Sequence, residues 1–239
     1  MSKRYLRQLP LIGEEGQAKL ASSTVFIAGA GGLGSPVSMY LAEAGVGRIR
    51  IADGDWIDET NLNRQILHPA ERVGMDKASS AMQTLTLLNP SCRVLAYAEP
   101  ITDDSAERLI GDASLIIDCL DNFEARYVLN RASQKLGIPL LHAAVSGYSG
   151  QLTLVVPGKT PCLSCIFPAV KTSDEKIPSL GACAGVVGSL QALEAVRVLI
   201  GSPTLAGKLL LYDASRNSLE TFAVKKSPRC PVCSGAESI

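Results

Sequence analysis

Three groups of residues in this chain of 239 have the types and spacing to do chemistry. The first is Gly29-Ala30-Gly31-Gly32-Leu33-Gly34, a G-x-G-x-x-G run that follows an apolar stretch. Glycines in this pattern let the backbone turn tightly and approach a phosphate, which then rests on helix N–H groups at the positive end of the dipole. Asp53, nineteen residues after Gly34, stands where a carboxylate accepts hydrogen bonds from ribose hydroxyls. These features predict a nucleotide site and leave the nucleotide open.

The second group lies downstream: Asn61, Arg64, Gln65 and Lys77, then Asp118 and Asp121. A nicotinamide enzyme has little use for such residues just past its ribose carboxylate. A triphosphate does, because charge grows at the α-phosphate and the leaving pyrophosphate during attack, and fixed cationic donors stabilise it. Arg64 offers a planar fork and Lys77 a point charge. An apolar strand delivers Asp118 and Asp121 to its C-terminal end, and a carboxylate facing a triphosphate is a natural Mg²⁺ ligand. Asp121-Asn122 also reads as the N-cap of the next helix, and the two roles are compatible. Arg126 and Arg131 on that helix read as surface charges.

The third group is Cys162-x-x-Cys165 and Cys230-x-x-Cys233, with 64 residues between the two knuckles. Four thiolates with no open position predict a structural zinc that clips the C-terminal segment to the preceding loop; unmetallated thiols or a redox pair are the alternative. Cys183, against the start of a helix, reads as a small buried residue more readily than as a nucleophile. Cys92 and Cys119 read as packing residues, and His142 as a satisfied structural histidine. Glu194 and Arg197, three apart, read as a surface pair. His68 and Trp56 receive no role.

These groups need elements to hold them. Strand patterns cover 24–28, 48–52, 93–98, 114–118 and 139–143, and helical patterns cover 35–44, 77–88 and 123–136. The alternation predicts βαβ units: an α/β, Rossmann-like, mainly parallel sheet with helices on both faces. Further strands at 150–156, 208–213 and 218–224 extend it in antiparallel fashion, with a helix at 186–199. Alternation of Gln151 and Thr153 with Leu152 and Leu154 predicts a half-exposed strand there. Residues 157–184 read as a long, mobile crossover loop, and the whole of 1–239 as one domain.

Lysine plus arginine and aspartate plus glutamate both number 23, which argues against broad binding to nucleic acid or anionic membrane. With no signal-like N-terminus and no apolar run judged long enough to span a bilayer, a cytoplasmic protein is expected. The cysteine count of 7 is odd, which favours metal ligands or core thiols over a disulfide set.

Taken in order, "RYLRQL", "GAGGLGS", "AGVGRIRIADGD", "NLNRQ", "VGMDK", "DCLDN", "PCLSC", "GVVGSLQALEA" and "CPVC" resemble the ThiF/MoeB/HesA family, bacterial relatives of ubiquitin-activating enzymes. The resemblance implies that Gly32, Asp53, Asn61, Arg64, Gln65, Lys77, Asp121 and Asn122 line an ATP site, with Asp121 as the Mg²⁺-associated carboxylate. It assigns residues 1–22 to a homodimer contact and Arg7 to the ATP phosphates bound by the partner subunit. It also implies an adenylyltransferase that activates the C-terminal glycine of a small ubiquitin-like sulfur-carrier protein, for thiamin or molybdopterin synthesis. Asn63 and Asp76 depart from the family pattern without removing a group the chemistry needs. The family's nucleophilic cysteine is expected near residues 174–177, where this chain has none, which puts thioester or acyl-disulfide chemistry in doubt. A nicotinamide-dependent oxidoreductase and a non-catalytic scaffold for a ubiquitin-like protein are the rival readings.

Overall fold

A computed structural model describes residues 3–168, 170 and 178–234. After a short 3-10 turn at Lys3–Tyr5, the elements run α1 (Leu9–Ser22), β1 (Thr24–Ala28), α2 (Gly34–Ala44), β2 (Arg48–Ala52), α3 (Lys77–Leu88) and β3 (Arg93–Tyr97). They continue with α4 (Ala106–Ile110), β4 (Leu115–Asp118), α5 (Phe123–Leu136), β5 (Leu140–Ser146) and β6 (Ser149–Val155). The last are α6 (Leu163–Ile166), α7 (Gly181–Ile200), β7 (Lys208–Asp213) and β8 (Ser218–Ala223).

Among the described residues the strands form one sheet in the order β3-β2-β1-β4-β5-β6-β7-β8. β3 through β5 pair in parallel and β5 through β8 antiparallel. The chain winds outward from β1 to β3, then returns to the other side of β1 as β4, so the strand order reverses between β1 and β4. Ligands bind at such a reversal, beyond the carboxyl ends of the strands. Register brings those ends level: Ala28 pairs with both Ala52 and Asp118, and Asp118 pairs with His142. Gly29, Asp53 and the 118–121 turn therefore leave the same edge side by side.

The strand sequences explain why helices cover both faces. Val25 and Ile27 of β1 point into one apolar cluster, with Leu20, Leu41, Leu85 and Val187 from α1, α2, α3 and α7. Phe26 and Ala28 point into the other, with Leu109, Leu129 and Leu163 from α4, α5 and α6. Both faces are dry, so the strand reads as an uninterrupted apolar run, and each large side chain buried contributes roughly 1.5–3 kcal/mol.

Several sequence expectations change. β6 is nearly dry on both faces, because Thr153 is buried with its hydroxyl donated to the Lys208 carbonyl at 2.7 Å. α7 begins at Gly181 instead of 186, and α6 occupies part of the expected 157–184 loop; residues 169 and 171–177 of that loop lie outside the described residues. α7, with 20 residues, is also long and apolar enough by length and composition to cross a bilayer, contrary to the sequence reading. It serves as a core helix, packed against α2, β5 and β6. Glu194 on α7 is not a surface group. It is buried, and its carboxylate accepts from the Thr204 and Leu205 N–H groups at 2.6 and 2.8 Å, pinning the approach to β7. Arg197 is more remote, at 3.8 Å.

Candidate functional site: a phosphate cradle and a four-cysteine cluster

The glycines after β1 divide into two kinds. Gly29 has φ +96°, and a Cβ there would lie 2.7 Å from the Cys119 carbonyl oxygen. A Cβ on Gly34 would lie 2.1 Å from the Gly29 carbonyl oxygen. These two are demanded by the tight turn and by its close packing on the end of β4. Gly31 and Gly32 are less confined, with neighbours at ordinary van der Waals contact. A Cβ on Gly31 would come no closer than 3.5 Å to the Gln65 amide, and one on Gly32 would meet Ala184 and the Arg64 stem at 3.5 and 3.6 Å. Gly31-Gly32 is thus bordered by Arg64, Gln65 and the first turn of α7.

Neighbouring side chains hold this turn. Asp53 accepts the Ala30 N–H at 2.7 Å and the Asp55 N–H at 2.9 Å. Burial pushes its carboxyl pKa up, with the nearby Lys77 charge working against that shift. Ser35 donates its hydroxyl to the Gly31 carbonyl at 2.7 Å. His68, given no role by sequence, is buried beneath the cradle. Its Nε2–H donates to the Ala30 carbonyl at 2.8 Å, and its Nδ1 then accepts the Ser80 hydroxyl at 3.0 Å. A lone histidine carries no periodic signal, so only the fold could reveal that contact.

The segment from Asp53 to Lys77 delivers the polar groups. A 3-10 turn at Glu59–Asn61 is closed by a capping box, in which Asp58 accepts the Thr60 N–H and Asn61 accepts the Asp58 N–H. Arg64 donates to the Thr60 carbonyl at 2.9 Å and to Asn63 Oδ1 at 3.0 Å, which aims its guanidinium. Gln65 is buried and its Oε1 has no hydrogen-bond partner among the described residues. A buried amide oxygen left unpaired beside a glycine cradle fits a site shaped for a ligand, since leaving it so costs about 1–3 kcal/mol. Asp76, the departure noted above, caps α3 by accepting the Ser79 N–H at 2.7 Å. Lys77 follows it, buried, with Nζ 2.8 Å from Asp55 Oδ2.

Asp118 and Asp121 separate sharply. Asp118 is fully buried and bonded to His142 at 2.7 Å, so it belongs to the protein interior. Asp121 is exposed and, among the described residues, accepts from Asn122 Nδ2 at 3.3 Å, so its carboxylate is available to a cation. Asn122 is the N-cap of α5, accepting the Ala125 N–H at 2.9 Å. Arg126 is not a surface charge. It is buried, 3.7 Å from Asp118 Oδ2, with its guanidinium over the Phe123 ring. Arg131 does lie at the surface, paired with Asp103. Arg7 is exposed in the turn leading to α1.

Both histidines have pKa values held below 6.5, chiefly by burial. Lys77 and Arg72 reinforce the effect on His68, while Asp118 opposes it on His142. The unfolded chain therefore takes up protons near pH 6.5 while the folded protein does not. Stability is full above that value and falls as pH drops through it. Melting midpoints measured between about pH 7.5 and about pH 5.5 are expected to fall with acidification, and His142→Asn to flatten part of the slope. A midpoint that rises with acid contradicts this assignment.

The knuckle cysteines converge. The sulfurs of Cys162, Cys165, Cys230 and Cys233 all lie within 4.8 Å of one another. Three separations are 3.4, 3.5 and 4.0 Å, too long for a disulfide, whose sulfurs sit about 2.05 Å apart. A tetrahedral zinc with bonds of about 2.3 Å sets its sulfurs about 3.8 Å apart, so the donor set and spacing fit that ion. Cys183 is buried and burial pushes its thiol pKa up, which suits a packing residue. Cys119 and Cys92 are buried also, the latter with its pKa pushed to about 11. The family's cysteine region, 174–177, lies outside the described residues.

Comparison with known proteins fits this geometry. The chain is 42% identical over 244 residues to a sulfur carrier protein adenylyltransferase of Thermus thermophilus, covering 96% of this chain and 90% of that one. It is 40% identical over 241 residues to the adenylyltransferase and sulfurtransferase MOCS3 of Drosophila yakuba, covering 97% of this chain and 53% of the relative. The chain thus spans about half the length of that relative. The crystal structure of E. coli MccB with AMPCPP and MccA superposes with a TM-score of 0.87 at 26% identity, covering 97% of this chain and 74% of that one. The ThiF family profile matches residues 4–232. The chain belongs to the ThiF family.

Proposed function

We propose that this protein is an ATP-dependent adenylyltransferase that activates the C-terminal glycine of a small ubiquitin-like sulfur-carrier protein, serving thiamin or molybdopterin biosynthesis. The observation that carries the reading is the gathering of polar groups at the glycine turn where the sheet order reverses: Arg64 and Gln65 border Gly31-Gly32, and Asp53, with the Lys77 charge nearby, holds the Ala30 N–H. The Thermus relative of matching length bears the same activity in its name.

The Gly29–Gly34 backbone receives the triphosphate, and Asp53 takes the ribose hydroxyls on the lone pairs its two backbone bonds leave over. A carboxylate oxygen of the carrier forms a bond to the α-phosphorus, and the bond from that phosphorus to the bridging oxygen of pyrophosphate breaks. The products are an acyl-adenylate and pyrophosphate. No general base is needed, since a terminal carboxyl with a pKa of about 3.3–3.7 is already ionised. Arg64 and Lys77 stabilise charge on the phosphates; Lys77 exchanges Asp55 for a phosphate oxygen as the nucleotide enters. Mg²⁺ would neutralise phosphate charge when bound, and Asp121, with Asn122 beside it, would hold it. In a homodimer, Arg7 of each protomer serves the phosphates of its partner. Zinc at Cys162, Cys165, Cys230 and Cys233 is structural.

Under the scaffold reading Lys77 serves its ion pair with Asp55 and no phosphate, and under the oxidoreductase reading neither Lys77 nor Arg64 meets a triphosphate. Exchange of labelled pyrophosphate into ATP, dependent on a carrier ending in Gly-Gly, separates all three. Exchange with at least one such carrier is expected; none with any of them would overturn the proposal.

A further inference from the structure

The stretch from Asp118 to Asp121 joins β4 to α5, and a buried cluster behind it fixes its shape. Asp118 Oδ1 accepts the Leu120 N–H at 3.0 Å. Its Oδ2 is shared by His142 Nδ1 at 2.7 Å and, more loosely, Arg126 Nε at 3.7 Å. Arg126 also donates to the Leu120 carbonyl, so both backbone polar groups of that residue are tied down. The Asp118 carbonyl accepts from Gln191 Nε2 at 2.9 Å. His142 Nε2 accepts from the Gln151 amide at 3.1 Å, which leaves the ring proton on Nδ1, facing Asp118. The turn lies against the cradle through the close approach of the Cys119 carbonyl to Gly29.

We propose that His142 is a positioning residue which, through Asp118 and with Arg126, sets Asp121 for the divalent cation that accompanies ATP. The inference rests on the adenylation reading above. Without the His142 donor, Asp118 is a fully buried carboxylate whose nearest cation among the described residues, Arg126, stands 3.7 Å away. It must rotate toward Arg126, and the Leu120 N–H that it holds is lost with it. Asp121, next in the chain, then loses its fixed direction. Partners one step behind a metal ligand typically change metal affinity about 10- to 100-fold when removed. A merely structural cluster would lower the melting temperature and leave the metal dependence alone.

The test is calorimetric titration of ATP into the full-length protein at a series of Mg²⁺ concentrations, which needs no turnover. His142→Leu is expected to raise the Mg²⁺ concentration for half-maximal ATP binding about 10-fold. His142→Asn, whose amide N–H replaces Nδ1–H, is expected to recover most of that loss. Gln151→Leu changes a half-buried position and keeps His142; it is expected to shift the requirement in the same direction by about three-fold. An unchanged Mg²⁺ requirement in both leucine variants, or in whichever of them folds, overturns the positioning role. Failure of the wild-type protein to bind Mg·ATP overturns the adenylation reading instead.

Discussion

Lys77→Ala lowers carrier-dependent pyrophosphate exchange by about 100- to 1,000-fold, the loss expected when one preorganised donor to a developing charge is removed. Three features make Lys77 the sharpest probe of the site. It is buried, so its charge acts through little solvent and is worth more than at a surface. Its place at the start of α3 is fixed by the Asp76 cap. Its partner Asp55 is 72% exposed and hydrates freely once the lysine is gone, while the buried Asp53 loses a nearby compensating charge. The measurement is the exchange rate at saturating Mg·ATP, with a melting curve as the control for folding. A variant that folds and retains near wild-type exchange would remove Lys77 from the mechanism. Arg64 is also aimed at the cradle, but its hold on the Thr60 carbonyl and Asn63 makes its loss a mixture of chemistry and loop geometry.

The second large effect is on stability. Cys230→Ser, or removal of the metal by a chelator, opens a link between segments separated by 64 residues. Closing a loop of that size is worth about 4 kcal/mol in the chain-entropy model. For a domain of this size that corresponds to a fall in melting midpoint of about 8–16 °C. Cys162, Cys230 and Cys233 also belong to the apolar cluster beneath β5 and β6, with Leu163 beside them, so the loosened tail exposes core. None of the four cysteines borders the Gly31-Gly32 cradle. Mg·ATP binding measured well below the midpoint is therefore expected to persist in the serine variant. An unchanged midpoint after chelation, with no zinc found by elemental analysis, would contradict the structural site.

Much of the fold was legible because its strands are dry on both faces. Runs such as Val25–Ala28 and Leu115–Ile117 can only be core strands when turn residues and helix caps bracket them. Asn122 at its cap fixed the start of α5, and the limits of α3 and of β1, β2 and β7 followed equally directly. α1 escaped notice because Gly13, with φ 71°, breaks its helical period. α4, of 5 residues, is too short to show a period at all.

Residue type and spacing set Asp53, Arg64 and Lys77 near the glycines, and the structure brings the Arg64 stem against Gly32 and Asp53 onto the Ala30 N–H. What failed was the treatment of isolated charges on helices. Arg126 shares a stripe with Leu129, Asn130 and Ser133, all buried, and Glu194 shares one with Val187, Gln191 and Ala195, buried likewise. The i, i+3, i+4, i+7 spacing placed both on inward faces, and reading them as surface groups ignored it. His68 and the pairing of His142 with Asp118 join elements distant in sequence, and no local pattern encodes them.

The most direct measurement is the intact mass of a carrier ending in Gly-Gly after incubation with the protein, ATP and Mg²⁺, quenched before hydrolysis. The account predicts a carrier heavier by one adenylyl group at its C-terminal glycine, absent with Lys77→Ala and absent when the last glycine is deleted. A carrier that keeps its mass in every pairing, while the protein binds Mg·ATP, would contradict it.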